Sequence, residues 1–410
     1  MATTVWFALV LAVALAAGVA EGAGPGAAAD SAEAALVRGN DQFAFDLYAG
    51  LRRREGNVFI SPYSISTALG MTYAGARGPT ATEMATVLRF PVTGDRLHEA
   101  FARVTRDVSR IGSGGKAELY IANALWPQTG LPLDPTFKKT VGSLYAAGLT
   151  PLDFLNAPEK ARMTINAWVE QQTRDRIKNL IPEGAVDQST RVVLTNAVYF
   201  KGVWKHPFPE PATRNDAFVL STGKKVGDVP FMRQVERLRY LDGGSFQALE
   251  LPYTNDELSM IVLLPKQVGG LAELEAMLTA KGVSDWLARM TVQVVDVTLP
   301  RFKITAELRL QETLSRLGMP LAFSDTADFS GIAKGDRLKL SDVFHKAYVE
   351  VNEKGTEAAA ATGGVMVPTS AGPPIRMEVF RADHPFFFVI RENGTGSLLF
   401  AGRLASPLTK

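Results

Sequence analysis

Four histidines, His98, His206, His345 and His384, are the side chains best suited to proton transfer or metal binding, and they are scattered along the chain. None has a second ligand at helical or zinc-finger spacing, and "HEAFA" from His98 lacks the second histidine of a zincin. Taken one at a time, each reads as a surface residue or a capped core residue. G-x-S-x-G, G-x-x-x-x-G-K-[ST] and G-x-G-x-x-G do not occur, which removes the commonest cues for hydrolases, phosphate loops and dinucleotide folds. A pair of carboxylates acting as acid and base leaves no sequence signature and stays open. The unusual stretch is "EKGTEAAAATGGVMVPTSAGPP", Glu353 to Pro374: four alanines that suit a helix, cut off by Gly363, Gly364 and three prolines. It lies between strongly apolar strands.

The elements that would carry these residues fall into two halves. The first is mostly helical: Leu36, Phe43, Leu47, Tyr48 and Leu51 share a face over 31–54, ended by Gly56 and Asn57. "NVFISPYSISTALGMTYAGA" gives a short apolar strand, then a helix with Ser61 as N-cap and Pro62 in the first turn. That helix is almost uncharged and should be buried, so Ser64 and Thr67 need internal partners. A further helix is predicted over 157–178, with Asn156 as its cap. The second half reads as strands: "TRVVLTNAVYFKGVW", "FQALELPY", "LSMIVLLPK", "VQVVDVTLPRFKI" and "AYVEVN", several continuously apolar and therefore buried on both faces. Asn393-Gly394 signals a type I′ hairpin turn near the C-terminus.

With 410 residues, 46% hydrophobic composition and formal charge +2, the chain can bury a large core and has no field that calls for nucleic acid. Arg96, Arg103, Arg106 and Arg110 fall at helical spacing but share their face with Glu99 and Asp107, so the helix reads as solvated. The apolar run from Val5 to Ala20 is short for a membrane span and reads as a secretory signal, although no Lys or Arg precedes it. Residues 1–29 are then leader and linker, 30–410 one domain, and the protein is expected to be secreted, to the extracellular space or periplasm. There are no cysteines, so neither disulfides nor a cysteine-linked lipid enters.

Together these segments resemble the serpin family from about Asp41 onward. The resemblance rests on "NVFISPYSIS", "IANALWPQ", "LTNAVYFKGVW", "LKLSDVFHKAYVEVNEKGTEAAAAT", "HPFFFVI" and "LLFAGRLASP". It implies an α+β fold in a single domain, with three β-sheets, about nine helices and an exposed reactive centre loop at about 353–374. It also implies a suicide-substrate inhibitor that is not an enzyme. A target serine protease attacks the loop and forms an acyl-enzyme; the cleaved loop then enters the central sheet and deforms the trapped protease. No cofactor or nucleic acid is implied, and no membrane after processing. The partner is the protease in covalent complex, and the inhibitor itself is expected to be a monomer.

The resemblance assigns residues. The hinge is Glu353, Gly355, Thr356, Glu357, Ala358, Ala359, Ala360, Ala361 and Thr362, whose small side chains let the segment slide between paired strands. Period-two alternation puts Thr356, Ala358, Ala360 and Thr362 toward the core and leaves Glu357 to solvent. Counting fourteen residues from the hinge glycine Gly355, as in inhibitory serpins, places the reactive bond at Thr369–Ser370; Met366–Val367 and Val367–Pro368 are minor alternatives. A small β-branched Thr369 suits the shallow pocket of an elastase-like protease or the permissive one of a subtilisin-like protease. Ser61, Ser64, Asn196 and His345 resemble the hydrogen-bonded shutter beneath the central sheet, and Trp204, Arg301 and Glu353 the breach at its top. Gly363 and Gly364 depart from an ideal insert, at up to about 1 kcal/mol each relative to alanine. The competing function is a non-inhibitory serpin, a carrier or folding factor, whose hinges tend to carry bulky, charged or proline residues that "GTEAAAAT" lacks.

Overall fold

The computed structural model describes residues 31–111, 117–145, 148–335, 338–356 and 376–408. The leader at 1–29, the hinge from Glu357 to Thr362 and the bond Thr369–Ser370 lie outside the described residues. Helix α1 (Ala32–Leu51) starts at Ser31, whose hydroxyl accepts the Ala34 N–H at 3.1 Å, and buries the predicted face. Strand β1 (Val58–Ile60) leads into α2 (Pro62–Tyr73), capped by Ser61 with Pro62 in its first turn. Every residue of α2 is buried, as its lack of charge requires.

Seven further helices bring the described residues to nine: α3 (Gly78–Val87), α4 (Asp95–Arg110), α5 (Pro135–Leu144), α6 (Pro158–Gln172), α7 (Leu271–Met277), α8 (Ala280–Arg289) and α9 (Gln311–Arg316). The arginine-bearing α4 is a solvated helix, with Arg103 paired to Glu33 and Glu99, and Arg110 to Asp107. Two boundaries differ from the sequence reading. Asn156 does not cap α6: its N–H and side chain are both held by the Asp153 carboxylate, and Ala157 takes the cap position. The helix stops at Gln172, because Arg174 and Asp175 turn to positive φ, 50° and 61°.

The strands that follow β1 are β2 (Ala117–Pro127), β3 (Gly148–Leu149), β4 (Val192–Val203), β5 (Arg214–Val219), β6 (Lys225–Asp242), β7 (Phe246–Pro252), β8 (Leu258–Pro265), β9 (Thr291–Pro300), β10 (Phe302–Arg309), β11 (Val343–Asn352), β12 (Gly355–Thr356), β13 (Met377–Arg381), β14 (Phe386–Glu392) and β15 (Leu398–Leu404). Six form the central sheet, in the order β10-β11-β12-β4-β2-β3. The other nine are hydrogen-bonded in sequence, but β6, the strand whose polar alternation hid it from the sequence reading, joins β7 only through Tyr240, Leu241 and Asp242. That narrow joint divides the nine into β5-β6-β9-β13 and β7-β8-β14-β15-β1. With the central sheet they make the three expected layers.

The central sheet is covered on both sides, which explains the continuous apolar run of β4. Leu194, Val198 and Phe200 enter the main core. Val193, Ala197 and Tyr199 pack with Ile165 and Val169 of α6 in a second cluster on the opposite face. The β14–β15 connection is longer than the predicted two-residue turn. It runs from Asn393 to Ser397, with Gly396 as the residue at positive φ, because the Glu392 carboxylate binds the N–H groups of Gly394 and Thr395.

Candidate functional site

Strands β4 and β11 are parallel, pairing from Leu194 and Val343 up to Tyr199 and Tyr348, and then they part. The chain itself fills the gap. After Asn352 it turns through Glu353 and Lys354 and returns as β12, with Gly355 and Thr356 opposite Asn352 and Val351 on one side and Val203 and Gly202 on the other. Only glycine fits the first position: Gly355 has φ 141°, and a Cβ there would lie 2.0 Å from the Gly202 carbonyl oxygen. Thr356 is fully buried, and its hydroxyl meets that of Tyr253 at 2.9 Å. This corrects the expectation of an exposed loop from residue 353. Glu353, Gly355 and Thr356 are buried, because the diverging strands leave unpaired backbone groups that the returning chain satisfies.

A cluster at the top of the seam fixes that turn. Trp204 stacks on Tyr253 at 4.5 Å and 17°, donates its indole N–H to the Asn352 carbonyl at 3.0 Å, and donates its backbone N–H to the Lys354 carbonyl at 2.9 Å. The Glu353 carboxylate receives Arg301 Nε at 2.8 Å and the Thr213 hydroxyl. Burial pushes the Glu353 carboxyl up, but the hydrogen bonds from Arg301 and Thr213 outweigh it and hold the group below its usual range. Trp204, Arg301 and Glu353 are thus brought together. Tyr253 and Thr213, which sequence reasoning missed, complete the cluster; "ELPYT" offered no signal beyond an aromatic at the end of a strand.

Lower on the seam a second polar cluster crosses three strands. Asn123, Asn196 and His345 are neighbours in register on β2, β4 and β11, facing the N-terminus of α2. Ser61 donates its backbone N–H to His345 Nε2 at 3.3 Å, so Nδ1 carries the ring proton and donates it to Asn196 Oδ1. Asn196 Nδ2 then donates to Ser64 Oγ and to Asn123 Oδ1, both at 2.6 Å. The Ser61 hydroxyl accepts the Ser64 N–H and donates to the Leu399 carbonyl at 2.8 Å. Burial pushes the His345 pKa down to about 3, so the ring is neutral. Asn123 was overlooked; its signal was a lone amide in the apolar strand "IANALW". The partner required for Thr67 is the Tyr63 carbonyl, at 2.8 Å.

The remaining histidines are held singly: His98 by the Tyr145 hydroxyl, His206 by Glu236, and His384 by Asp383 and the Pro265 carbonyl. Among the described residues no group of three or more His, Asp or Glu side chains could hold a metal, and no helix is long and apolar enough to cross a membrane. Neither cluster on the seam aims an activated nucleophile at open space. Both lie along the line where β4 and β11 join and part.

Comparison with known proteins agrees with that architecture. The profile of the family described as Serpin (serine protease inhibitor) matches residues 38–407. The chain belongs to the serpin family. This serpin is 41% identical over 382 residues to the leukocyte elastase inhibitor of Bos taurus, covering 91% of this chain and 99% of that protein. It is 39% identical over 375 residues to an uncharacterized serpin-like protein of Thermococcus kodakarensis, covering 92% and 86%. Among solved structures it matches uncleaved ovalbumin with TM-score 0.82 at 31% identity, over 91% of this chain and 100% of that one. It also matches human thyroxine-binding globulin in complex with thyroxine with TM-score 0.81 at 31% identity, over 92% and 100%.

Proposed function

We propose that this serpin traps serine proteases of elastase-like or subtilisin-like specificity as acyl-enzymes, by carrying its cleaved loop into the seam between β4 and β11. The protease serine attacks the Thr369 carbonyl, an ester forms, and the amine of Ser370 leaves with a proton. Hydrolysis of that ester then competes with insertion. The observation that carries the reading is the pairing of Gly355 and Thr356 between β4 and β11, since insertion would extend a strand already begun.

Continuing that antiparallel register makes each residue number and its β4 partner sum to the same value as Thr356 and Gly202. Glu357 then falls opposite Lys201, Thr362 opposite Asn196 and Met366 opposite Val192 at the foot of β4, leaving Val367 to Thr369 beyond it. On insertion Thr362 would face the polar cluster. As the seam opens, its hydroxyl arrives where Asn196 and His345 lose each other, replacing a buried hydrogen bond instead of orphaning two groups. The opposite face of the insert would not reach open solvent, because Ala197 and Tyr199 belong to the buried cluster that includes Ile165 and Val169 of α6. Ala359 and Ala361 would lie beneath it, which accounts for small residues on both faces, and Glu357 would meet Lys201, at present paired with Glu118 at 3.4 Å.

Thyroxine-binding globulin shares the fold while holding a small ligand, so architecture alone does not separate trapping from carriage; the hinge "GTEAAAAT" favours trapping. The deciding experiment is incubation with elastase-like and subtilisin-like proteases, read on a denaturing gel. A covalent complex of inhibitor and protease is expected. Complete cleavage without any complex would leave a substrate or carrier. The apolar run Val5–Ala20 supports an exported inhibitor, and N-terminal sequencing of the mature protein tests this.

A further inference from the structure

Strands β6, β9 and β13 turn one face inward, where Val295, Val297 and Phe380 join the main core. The opposite face carries Val235 of β6, Val292 and Val294 of β9, and Met377 and Val379 of β13. In register, Val235 and Val379 flank Asp296, and Val294 lies between Arg237 and Met377. Val235, Val292, Met377 and Val379 are between 47% and 56% exposed, and they are four of the eight large apolar side chains exposed among the described residues. A single exposed valine suits a strand and needs no explanation. These adjoin one another across three strands, which is the mark of an interaction surface.

The rim of the patch is cationic where it meets solvent. Arg233 and Arg376 are 58% and 90% exposed, whereas the carboxylates they pair with, Asp296 and Glu378, are 13% and 24% exposed. Arg237 is exposed as well, and its neighbouring acids Glu236 and Asp296 are engaged by His206 and Arg233. An apolar centre with outward guanidinium groups fits a partner that presents apolar side chains ringed by carboxylates.

The chain itself indicates which partner comes near. Only Ser370 to Arg376 separate the reactive bond from the start of β13, and the steps from Thr369 to Met377 reach at most about 28 Å even when fully extended. A protease domain of about 220 residues has a radius of gyration of about 17 Å, so the tether is shorter than the protease is wide. Neighbouring strands lie about 4.8 Å apart, which puts the patch close beside Met377. A protease holding Thr369–Ser370 in its cleft is therefore brought over β13 on the side where the downstream residues leave the cleft.

We propose that the exposed face of β6, β9 and β13 is a second docking surface for the target protease, a proposal that rests on the reading of Thr369–Ser370 as the bond attacked. It selects proteases with apolar side chains and carboxylates beside that side of the cleft. Thr369 fits many shallow pockets, so this surface supplies discrimination that the loop lacks.

The test uses elastase-like and subtilisin-like proteases that cut at Thr369–Ser370, each also prepared with its active-site serine replaced by alanine so that it binds without reacting. Surface plasmon resonance should show the inert protease binding the intact inhibitor about tenfold or more tighter than a peptide spanning 355–374. Val235→Glu combined with Val379→Glu should remove most of that advantage, with thermal melting to read loss of fold separately. Arg237→Gln should slow association at low ionic strength and leave it unchanged at about 1 M salt. Equal affinity for peptide and intact inhibitor, an unaltered affinity in the folded double variant, or cutting at that bond by no protease of the panel would each overturn the proposal. Self-association that the double variant dissolves, read by sedimentation, would assign the face to a second copy of this chain and overturn it too. Cutting and docking without a covalent complex would overturn trapping and leave this surface standing.

Discussion

The hydroxyls of Tyr253 and Thr356 lie 2.9 Å apart in a fully buried pocket, so the chain at Gly355 and Thr356 already lies within the central sheet. Tyr253 is in turn fixed by the Trp204 ring stacked on it. The pair marks the place from which insertion would proceed.

Thr356→Arg should convert the inhibitor into a substrate. A guanidinium at this site has no partner and must be either buried unpaired, at a cost of several kcal/mol (about 3–5), or expelled together with the hinge. Each 1.4 kcal/mol on the insertion barrier slows that step about tenfold, while ester hydrolysis proceeds unchanged. Denaturing gels should show cleaved inhibitor with little covalent complex. Undiminished trapping would mean that the loop is a tight-binding bait and does not insert.

Thr362→Val should slow insertion without altering recognition at the reactive bond. The substitution keeps volume but removes the hydroxyl assigned to the Asn196–His345 gap, leaving buried polar groups unmatched at about 1–3 kcal/mol. The ratio of free cleaved inhibitor to covalent complex should rise about fivefold or more. An unchanged ratio of complex to cleaved product would place another residue at the shutter.

Glu353→Lys should loosen the top of the seam. It replaces the buried acceptor of Arg301 and Thr213 with a cation facing a cation. Arg301 is 45% exposed, so solvent screens part of the repulsion, and a loss of about 2 kcal/mol is expected. Native gels after mild heating should show a ladder of loop-sheet polymers that the parent lacks.

Stability should carry a histidine signature in acid. His345 goes from 6.5 to about 3 on folding, so below pH 6.5 the unfolded chain takes up a proton that the folded ring refuses. Stability present above 6.5 is lost as pH falls toward 3, at about 1.4 kcal/mol per pH unit. His98, pushed down to about 4 by burial, adds a loss of the same sign. Asp41, pushed up to about 7, opposes both, since folded it retains a proton that the unfolded chain releases. Comparison with His345→Gln isolates the one ring: unfolding free energy should fall less steeply with acid by about 1.4 kcal/mol per pH unit. Parallel curves would show that His345 is not buried neutral.

Cleavage in the loop should raise the melting temperature, because completing the central sheet adds a strand, whereas nicking an ordinary loop leaves stability unchanged or lowers it. Mass spectrometry of the released fragment during complex formation should place the cut between Thr369 and Ser370. A cut after Met366 would still leave enough chain to reach the foot of β4, so the mass decides between them.

Much of the framework was legible from local pattern. Ser61-Pro62 announced the start of α2, uncharged and therefore buried, and the apolar runs of β4, β8 and β14 announced strands covered on both faces. Those signals are one-dimensional, since caps, periodicity and small-residue runs act within a few residues of the chain. The turn at Asn393-Gly394 and the cap at Asn156 failed for the converse reason, each being overridden by a nearby carboxylate whose reach propensity does not register. Tertiary structure alone decided that Gly355 and Thr356 are already docked, because that depends on how far β4 and β11 diverge and on Tyr253 arriving beneath them. It also decided that the insert would be enclosed by α6, and that Asn123, distant in sequence from Asn196 and His345, lies in register with both. Sequence set which side chains could enter the sheet; the register of β4 against β11, a contact across more than a hundred residues, set where each of them would land.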